Sequence, residues 1–371
     1  MKIRHVFILI ALLVLGCKQM PEKDIAVIQP DKNYEVEHVI EGLTIPWGMV
    51  WLPDGSMLIT EKSGDLYHFK NDEKIKIENL PNVYDHGQGG LLDIALHPNY
   101  ATNQWIYITY ASKEGGGKGG NTALIRCKLK GNALTDIELL YKATPNTTAS
   151  GHFGSRIAFD NHGFVYFSIG DRFERDKNPQ DITRDGGKIY RLHDDGSIPE
   201  DNPFYTEHNA KKAIYTYGNR NPQGMVKHPE TGDIWMHEHG PKGGDEINIV
   251  KKGANYGWPV VSYGINYDGT ILTEETSRPE MEPPLYYWVP SIAPCGMDFV
   301  TGDNYPDWKN KLLVGSLKFG YVELLTLEGE KVTNREKLAD GIGRVRNVKM
   351  GPDDLIYIAV EGRGIFRLTP P

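Results

Sequence analysis

The stretch Arg156-Ile157-Ala158-Phe159-Asp160-Asn161-His162-Gly163-Phe164-Val165-Tyr166-Phe167-Ser168-Ile169 runs from a short apolar segment through a tight turn into a β-rich segment. Asp, Asn and Gly together favour a hairpin turn, and β-branched and aromatic residues favour strands. The pattern recurs along the chain. Apolar segments starting near Trp47, Leu91, Gly224, Gly296 and Arg346 meet the turns Pro53-Asp54-Gly55, Pro98-Asn99, His228-Pro229-Glu230-Thr231-Gly232, Thr301-Gly302-Asp303 and Gly351-Pro352-Asp353-Asp354. β-rich runs follow at 56–60, 105–110, 233–236, 311–314 and 355–360. Six copies of an all-β unit, spaced by roughly 40–70 residues with insertions, predict an all-β fold: a six-bladed β-propeller with four-stranded blades. Its chemistry is then expected on loops that converge on the axis from different blades.

Working outward, the repeats assign residues 33–371 to one propeller domain. Gly 41 and Pro 23 supply the many turns it needs. The net charge of −8, with no Lys/Arg run, argues against nucleic acid as a partner. The N-terminus reads as an address and not as fold. Lys2 and Arg4 precede a ten-residue apolar run at 6–15, too short for an ordinary membrane span. Leu13-Val14-Leu15-Gly16-Cys17 resembles a bacterial lipobox, so residues 1–17 are expected to be a lipoprotein signal ending at a lipidated Cys17. A plain secretory signal is the alternative. Residues 18–32 read as a polar tether. Lys18, where an Asp would favour inner-membrane retention, points to the outer membrane. Of the remaining cysteines, Cys127 falls on the apolar face of an alternating segment and is expected in the core, while Cys295 is expected on a loop. Nothing in the spacing calls for a disulfide between them.

Several segments carry chemistry only in combination. Glu114-Gly-Gly-Gly-Lys-Gly-Gly-Asn121 looks like a phosphate loop, but an alternating strand follows it and no helix, so it reads as a hairpin loop. Gly151-His152-Phe153-Gly154 precedes the third repeat, and Gly170-Asp171-Arg172 ends a strand of the same repeat. A carboxylate there could hold one imidazole nitrogen and leave the other as a base. His237-Glu238-His239 would put two imidazoles on one face, which admits a zinc site or simply two polar strand residues. The Gly-rich turn that follows, Gly240-Pro241-Lys242-Gly243-Gly244, with Asp245 and Glu246, suits a hard cation such as calcium better. Arg220-Asn221 opens the fourth repeat and Arg344-Val345-Arg346 the sixth, with Lys318 in the fifth. In a strand Arg344 and Arg346 point the same way. Converging on one axis, these cations would bind an anion with several carboxylates.

Taken together, these segments resemble the soluble quinoprotein glucose/aldose dehydrogenases, which use pyrroloquinoline quinone (PQQ). The resemblance runs from Ile45-Pro46-Trp47-Gly48 to Gly364-Ile365-Phe366-Arg367-Leu368. It includes Gly87-Gln88-Gly89-Gly90-Leu91-Leu92, His152-Phe153-Gly154-Ser155-Arg156, Gly218-Asn219-Arg220-Asn221-Pro222-Gln223-Gly224, Asn255-Tyr256-Gly257-Trp258-Pro259 and Arg344-Val345-Arg346. It implies that His152 is the general base for an aldose C1 hydroxyl, that Asp171 orients it, and that Arg220 stabilises charge on the quinone. It implies that Gln88, Asn221, Tyr267, Lys318, Arg344 and Arg346 bind the cofactor. Calcium would be held by the carbonyls of Gly240 and Pro241, and a second calcium by Glu246 and the Tyr256 carbonyl. The expected reaction is oxidation of aldoses to lactones, with electrons passed to an external acceptor. The long insertions of the dimeric glucose-specific members are not evident, so the chain looks closer to the compact aldose type and to a monomer. Asn219 stands where the family often has His, and Cys295 where a small polar residue is usual. A calcium-dependent lactonase-type hydrolase on the same propeller and a non-enzymatic cell-surface binding propeller stay open. The Arg/Lys cluster discriminates between them, since PQQ needs it and the other two do not.

Overall fold

The computed structural model describes residues 25–28 and 34–370. The expected lipoprotein signal, with Cys17, lies outside them.

Six sheets form the molecule. Blade 1 is Pro46–Trp51, Met57–Glu61, Leu66–Lys70 and Glu73–Lys76; blade 2 is Leu91–Leu96, Ile106–Ser112, Asn121–Lys130 and Ala133–Lys142. Blade 3 is Ile157–Phe159, Val165–Ile169, Lys188–Leu192 and Ile214–Tyr217; blade 4 is Pro222–Lys227, Ile234–Glu238, Asp245–Ile249 and Tyr286–Trp288. Blade 5 is Pro294–Phe299, Leu312–Ser316, Val322–Glu328 and Lys331–Leu338. In blade 6 the chain supplies Val345–Met350, Ile356–Val360 and Gly364–Thr369, and the fourth strand is Glu35–Ile40 from the other end of the chain. That strand pairs antiparallel with Gly364–Thr369 and closes the ring, so Gly364–Thr369 is not left as an unpaired edge. Within the segment read as a tether, Val27–Ile28 adds a parallel fifth strand to blade 5.

The first strand of each blade contacts the first strand of the next in an unbroken cycle, which puts six inner strands around one axis. Strands buried on both faces need apolar residues on both, and the second strands (Met57–Glu61, Val165–Ile169, Ile356–Val360) are buried throughout. The core is therefore distributed. Each of the six blade-to-blade interfaces has its own cluster, such as Leu58, Ile94 and Ile108 between blades 1 and 2, and Val314, Trp288 and Phe299 between blades 4 and 5. Polar side chains on second strands tie neighbouring blades as well. Thr60 donates to the Leu92 carbonyl (2.5 Å), Thr109 to that of Ser155 (2.6 Å) and Ser168 to that of Pro222 (3.1 Å).

Every described turn of the repeat signature joins a first strand to a second, so all six turns lie at one end of the ring. The loops that enter first strands and those that leave second strands lie at the other end. His152, Asp171, Arg220, Gln88, Asn221, Lys318, Arg344, Gly240 and Pro241 belong to these two loop classes, whereas Arg346 and Glu246 lie in strands and Tyr256 and Tyr267 in the long connection 250–285.

Candidate active site

Near the top of the inner strands the pairing slips in five blades, between Pro46/Gly48, Leu91/Ile94, Pro222/Gly224, Cys295/Met297 and Val345/Asn347. A β-bulge re-aims the extra side chain out of the sheet. Trp47, Leu92, Gln223 and Arg346 occupy such bulges, and all four line an axial cavity of about 340 Å³. Gln88, Asn221, Arg344, Lys62, Leu317 and Glu361 are among its other wall residues, with Phe153 and Gly154, so every blade contributes. The volume lies at the small end of the ~300–1,000 Å³ range of small-ligand sites.

His152 and Asp171 meet beside this cavity. His152 Nδ1 donates to Asp171 Oδ1 at 2.6 Å, and the Trp258 indole Nε1 donates to Oδ2 at 2.9 Å. The Phe173 N–H donates to Oδ1 at 2.9 Å. Gln88 Oε1 accepts from the backbone N–H of His152 at 2.8 Å, which fixes the loop below the imidazole. Burial disfavours the imidazolium and lowers the His152 pKa, and the bond and charge of Asp171 oppose this only in part. Burial of Asp171 would raise its pKa, but the His152 bond, the Arg220 charge and the Trp258 N–H hold it below the ordinary carboxylate value. The pair therefore carries an ionised Asp171 and a neutral His152 with Nε2 unprotonated, which is the arrangement of a general base.

Arg220 Nη1 donates to the carbonyls of Gly240 (2.9 Å) and His239 (3.2 Å), and its guanidinium lies over the Trp258 ring, 5.2 Å from the centroid. Its Nε is buried without a partner among the described residues. Asn221 Oδ1 accepts from Gly154 N–H and Gln88 Oε1 from His152 N–H, which leaves the NH2 group of each amide to donate elsewhere. Arg344 Nε donates to Glu361 Oε2 at 2.6 Å, and Arg346 pairs with Oε1 of the same carboxylate. Two arginines share one acid, so the cluster keeps a net positive charge toward the cavity.

This donor set and the family are in accord. The glucose/sorbosone dehydrogenase family model matches residues 43–367. The chain belongs to that family. It is 39% identical over 334 residues to aldose sugar dehydrogenase YliI of Escherichia coli, covering 88% of this chain and 90% of the relative. Quinoprotein glucose dehydrogenase B of Acinetobacter calcoaceticus is 26% identical over 421 residues, covering 90% and 86%. The crystal structure of the soluble E. coli aldose sugar dehydrogenase in its apo form superposes with a TM-score of 0.87 at 37% identity, over 91% of this chain and 100% of that one.

Within this glucose/sorbosone dehydrogenase chain the expected residues divide. His152, Asp171, Arg220, Gln88, Asn221, Arg344 and Arg346 are brought together. Lys318 and Tyr267 are not in the cavity wall: Lys318 is exposed on the rim with Nζ over the Phe319 ring, and Tyr267 is 70% exposed in the 250–285 connection. Arg344 precedes its strand and Arg346 sits in the bulge, so Glu361 and the bulge align them, and strand alternation does not. Cys295 lies in the strand Pro294–Phe299 and not on a loop; it is buried and unpaired, as is Cys127.

The zinc reading of His237-x-His239 gives way. His237 Nε2 faces the Gly296 carbonyl at 3.2 Å and His239 Nε2 that of Pro294 at 2.6 Å, so both imidazoles serve the interface with blade 5. Among the described residues no group of three or more His, Cys, Asp or Glu side chains could hold a metal. A cation held mainly by carbonyls is a different case. Glu238 and Glu246 are directly opposite each other across two strands. Burial and the charge of Glu238 raise the Glu246 pKa well above its ordinary value, and a cation would relieve that pair.

Three site residues have no role that the sequence signals, although Trp258 and Arg156 stand within the family motifs. Trp258 lies 87 positions from Asp171. Glu361 stands just past the second strand of blade 6, the position that Lys62 and His239 hold in blades 1 and 4, so aligning the repeats would have exposed it. Arg156 is at the centre of the ring.

Proposed function

We propose that this protein oxidises aldose sugars at C1 to lactones with PQQ and calcium, passing electrons to an external acceptor. The observation that carries the reading is the buried His152–Asp171 pair at the edge of a cavity lined by Arg344 and Arg346. A hydrolase would have no use for that cationic wall. The identity to an aldose sugar dehydrogenase across nearly the whole chain supports the same class.

In this mechanism His152 Nε2 takes the proton of the C1 hydroxyl while Asp171 keeps Nδ1 protonated and the ring oriented. The chemistry that PQQ supplies when bound is a two-electron sink for the hydride of C1. The sugar thus loses one proton to His152 and one hydride, and C1 becomes the lactone carbonyl. Arg220, tied to two carbonyls, holds a fixed positive charge beside the site, which stabilises developing anionic charge without reorganising. Arg344, Arg346 and the amides of Gln88 and Asn221 would hold the cofactor's carboxylates and carbonyls, with Lys318 and Tyr267 closing from the rim. The carbonyls of Gly240 and Pro241 would hold one calcium, and Glu246 with the Tyr256 carbonyl a second. The proposed address is the cell envelope, through a lipid on Cys17.

The test is reconstitution. Apoprotein given PQQ and Ca²⁺ should reduce a redox dye with aldoses and release the lactone, and chelation should abolish this until Ca²⁺ and PQQ are restored. Turnover that survives complete removal of PQQ would overturn the proposal.

A further inference from the structure

An exposed phenylalanine by itself calls for no explanation. Phe173 combines four features that do. It is 53% exposed, at the site end of the ring of blades. It stands edge-on to the His152 imidazole, with centroids 4.3 Å apart and planes at 63°. It sits on the backbone of Gly151, where a Cβ would meet its Cζ at 2.3 Å, so only glycine leaves room for the ring. Finally, Arg172 and Phe173 are consecutive left-handed residues, at φ +56° and +59°, a conformation that L side chains with a Cβ adopt at a cost.

The turn is held from below. The Arg172 guanidinium lies over the Phe153 ring, 3.4 Å from its centroid, and donates to the carbonyls of Ala149 (2.7 Å) and Gly151 and to Thr147 Oγ1 (3.1 Å). Arg172 is thus sunk inward and Phe173 is turned outward against the base. At φ +59° glycine would be the comfortable residue. An aromatic ring kept there, half in solvent and touching the base, has a use for its open face.

We propose that Phe173 is a sugar-binding platform, stacking on the apolar C–H face of the pyranose while C1–OH points to His152 Nε2. A pyranose presents a row of C–H groups on one face, and an aromatic ring meets these with the negative face of its quadrupole. The inference rests on His152 as the base of the proposed reaction, and it adds a substrate-positioning residue outside the cofactor wall.

The experiment compares wild type, Phe173→Gly and Phe173→Tyr, each loaded with PQQ and Ca²⁺. Calorimetry with 1,5-anhydroglucitol, a pyranose without the C1 hydroxyl, reads sugar binding apart from turnover. Phe173→Gly should bind it about tenfold more weakly, equivalent to about 1.4 kcal/mol, and should raise KM for aldoses by a similar factor while kcat falls less. Phe173→Tyr should restore both to within about twofold. Phe173→Gly should melt no lower than wild type, since glycine suits the left-handed backbone, and this separates lost binding from lost fold. If Phe173→Gly binds the analogue as wild type does and KM is unchanged, the platform is wrong while the dehydrogenase reading stands. If loaded wild type oxidises no aldose, the reading of the site itself fails, and the platform with it.

Discussion

His152 is suited to act as the proposed base only because two opposing effects on its imidazole are unequal. Burial in the loop disfavours the charged form, and Asp171 favours it. Burial wins, so the neutral form persists to a pH below the ordinary imidazole value of 6.5. The active species is the unprotonated one, so rate is lost as pH falls through the folded-state pKa. The acid limb of the kcat/KM profile should therefore have its midpoint below 6.5, and a midpoint at or above that value would contradict the assignment. Asp171→Asn removes an interaction that raises the pKa, so it should move the limb lower still while slowing turnover. His152→Ala should cut turnover about 10²–10⁴-fold with PQQ affinity little changed. His237→Ala serves as a control and should leave the pH profile alone, since that ring faces a blade 5 carbonyl.

At the scale of elements, the site depends on a detour and on a closure. The connection 250–285 leaves the third strand of blade 4 and brings Trp258 across to Asp171 before the chain returns to Tyr286–Trp288. Trp258→Phe keeps the buried ring and removes only the N–H donor to an ionised acid. A bond of that kind contributes about 1.5–3 kcal/mol to stability, so denaturant unfolding should show a loss of that order, and kcat/KM should fall as Asp171 loses one of the donors that hold it. An unchanged kcat/KM would mean that Trp258 merely packs. The closure is the strand Glu35–Ile40. A chain beginning at Glu41 leaves Gly364–Thr369 as an unpaired edge, and it should melt lower and aggregate, as sedimentation would show.

For the whole molecule the decisive group is Arg156, on the axis. It is 3% exposed, and its guanidinium lies over the Trp47 ring of blade 1, 3.9 Å from the centroid. It donates to Asp93 Oδ1 of blade 2 (3.2 Å), to the Gln223 carbonyl of blade 4 (2.7 Å) and to the Arg346 carbonyl of blade 6 (2.8 Å), and it touches Cys295 Sγ of blade 5 at 3.5 Å. One side chain of blade 3 thus meets all five other blades. Arg156→Met leaves Asp93 buried without its cation, a change that costs about 3–5 kcal/mol. Denaturant unfolding should show that loss, and the cavity above should bind PQQ more weakly because the Arg346 bulge loses its support. Loss of less than about 1 kcal/mol would show that the blade interfaces hold the ring unaided.

The repeats were legible in the sequence because each strand is patterned by its own two faces and each turn by its own backbone needs, and both are local. They fixed the number of blades and the end of the ring that carries the signature turns, and the family motifs located His152, Asp171, Arg220 and the arginine pair. The site lies at the other end, where the turn signature is absent and the loops differ in length and residue type from blade to blade. Which of their residues meet depends on the angle at which blades pack and on the bulges that turn Gln223 and Arg346 inward. The Trp258–Asp171 bond, the Glu361 bridge, the Arg156 hub and the closing strand all join positions far apart in the chain. No local preference encodes such a pairing. It exists only once six inner strands surround one axis, because the ring itself supplies the proximity.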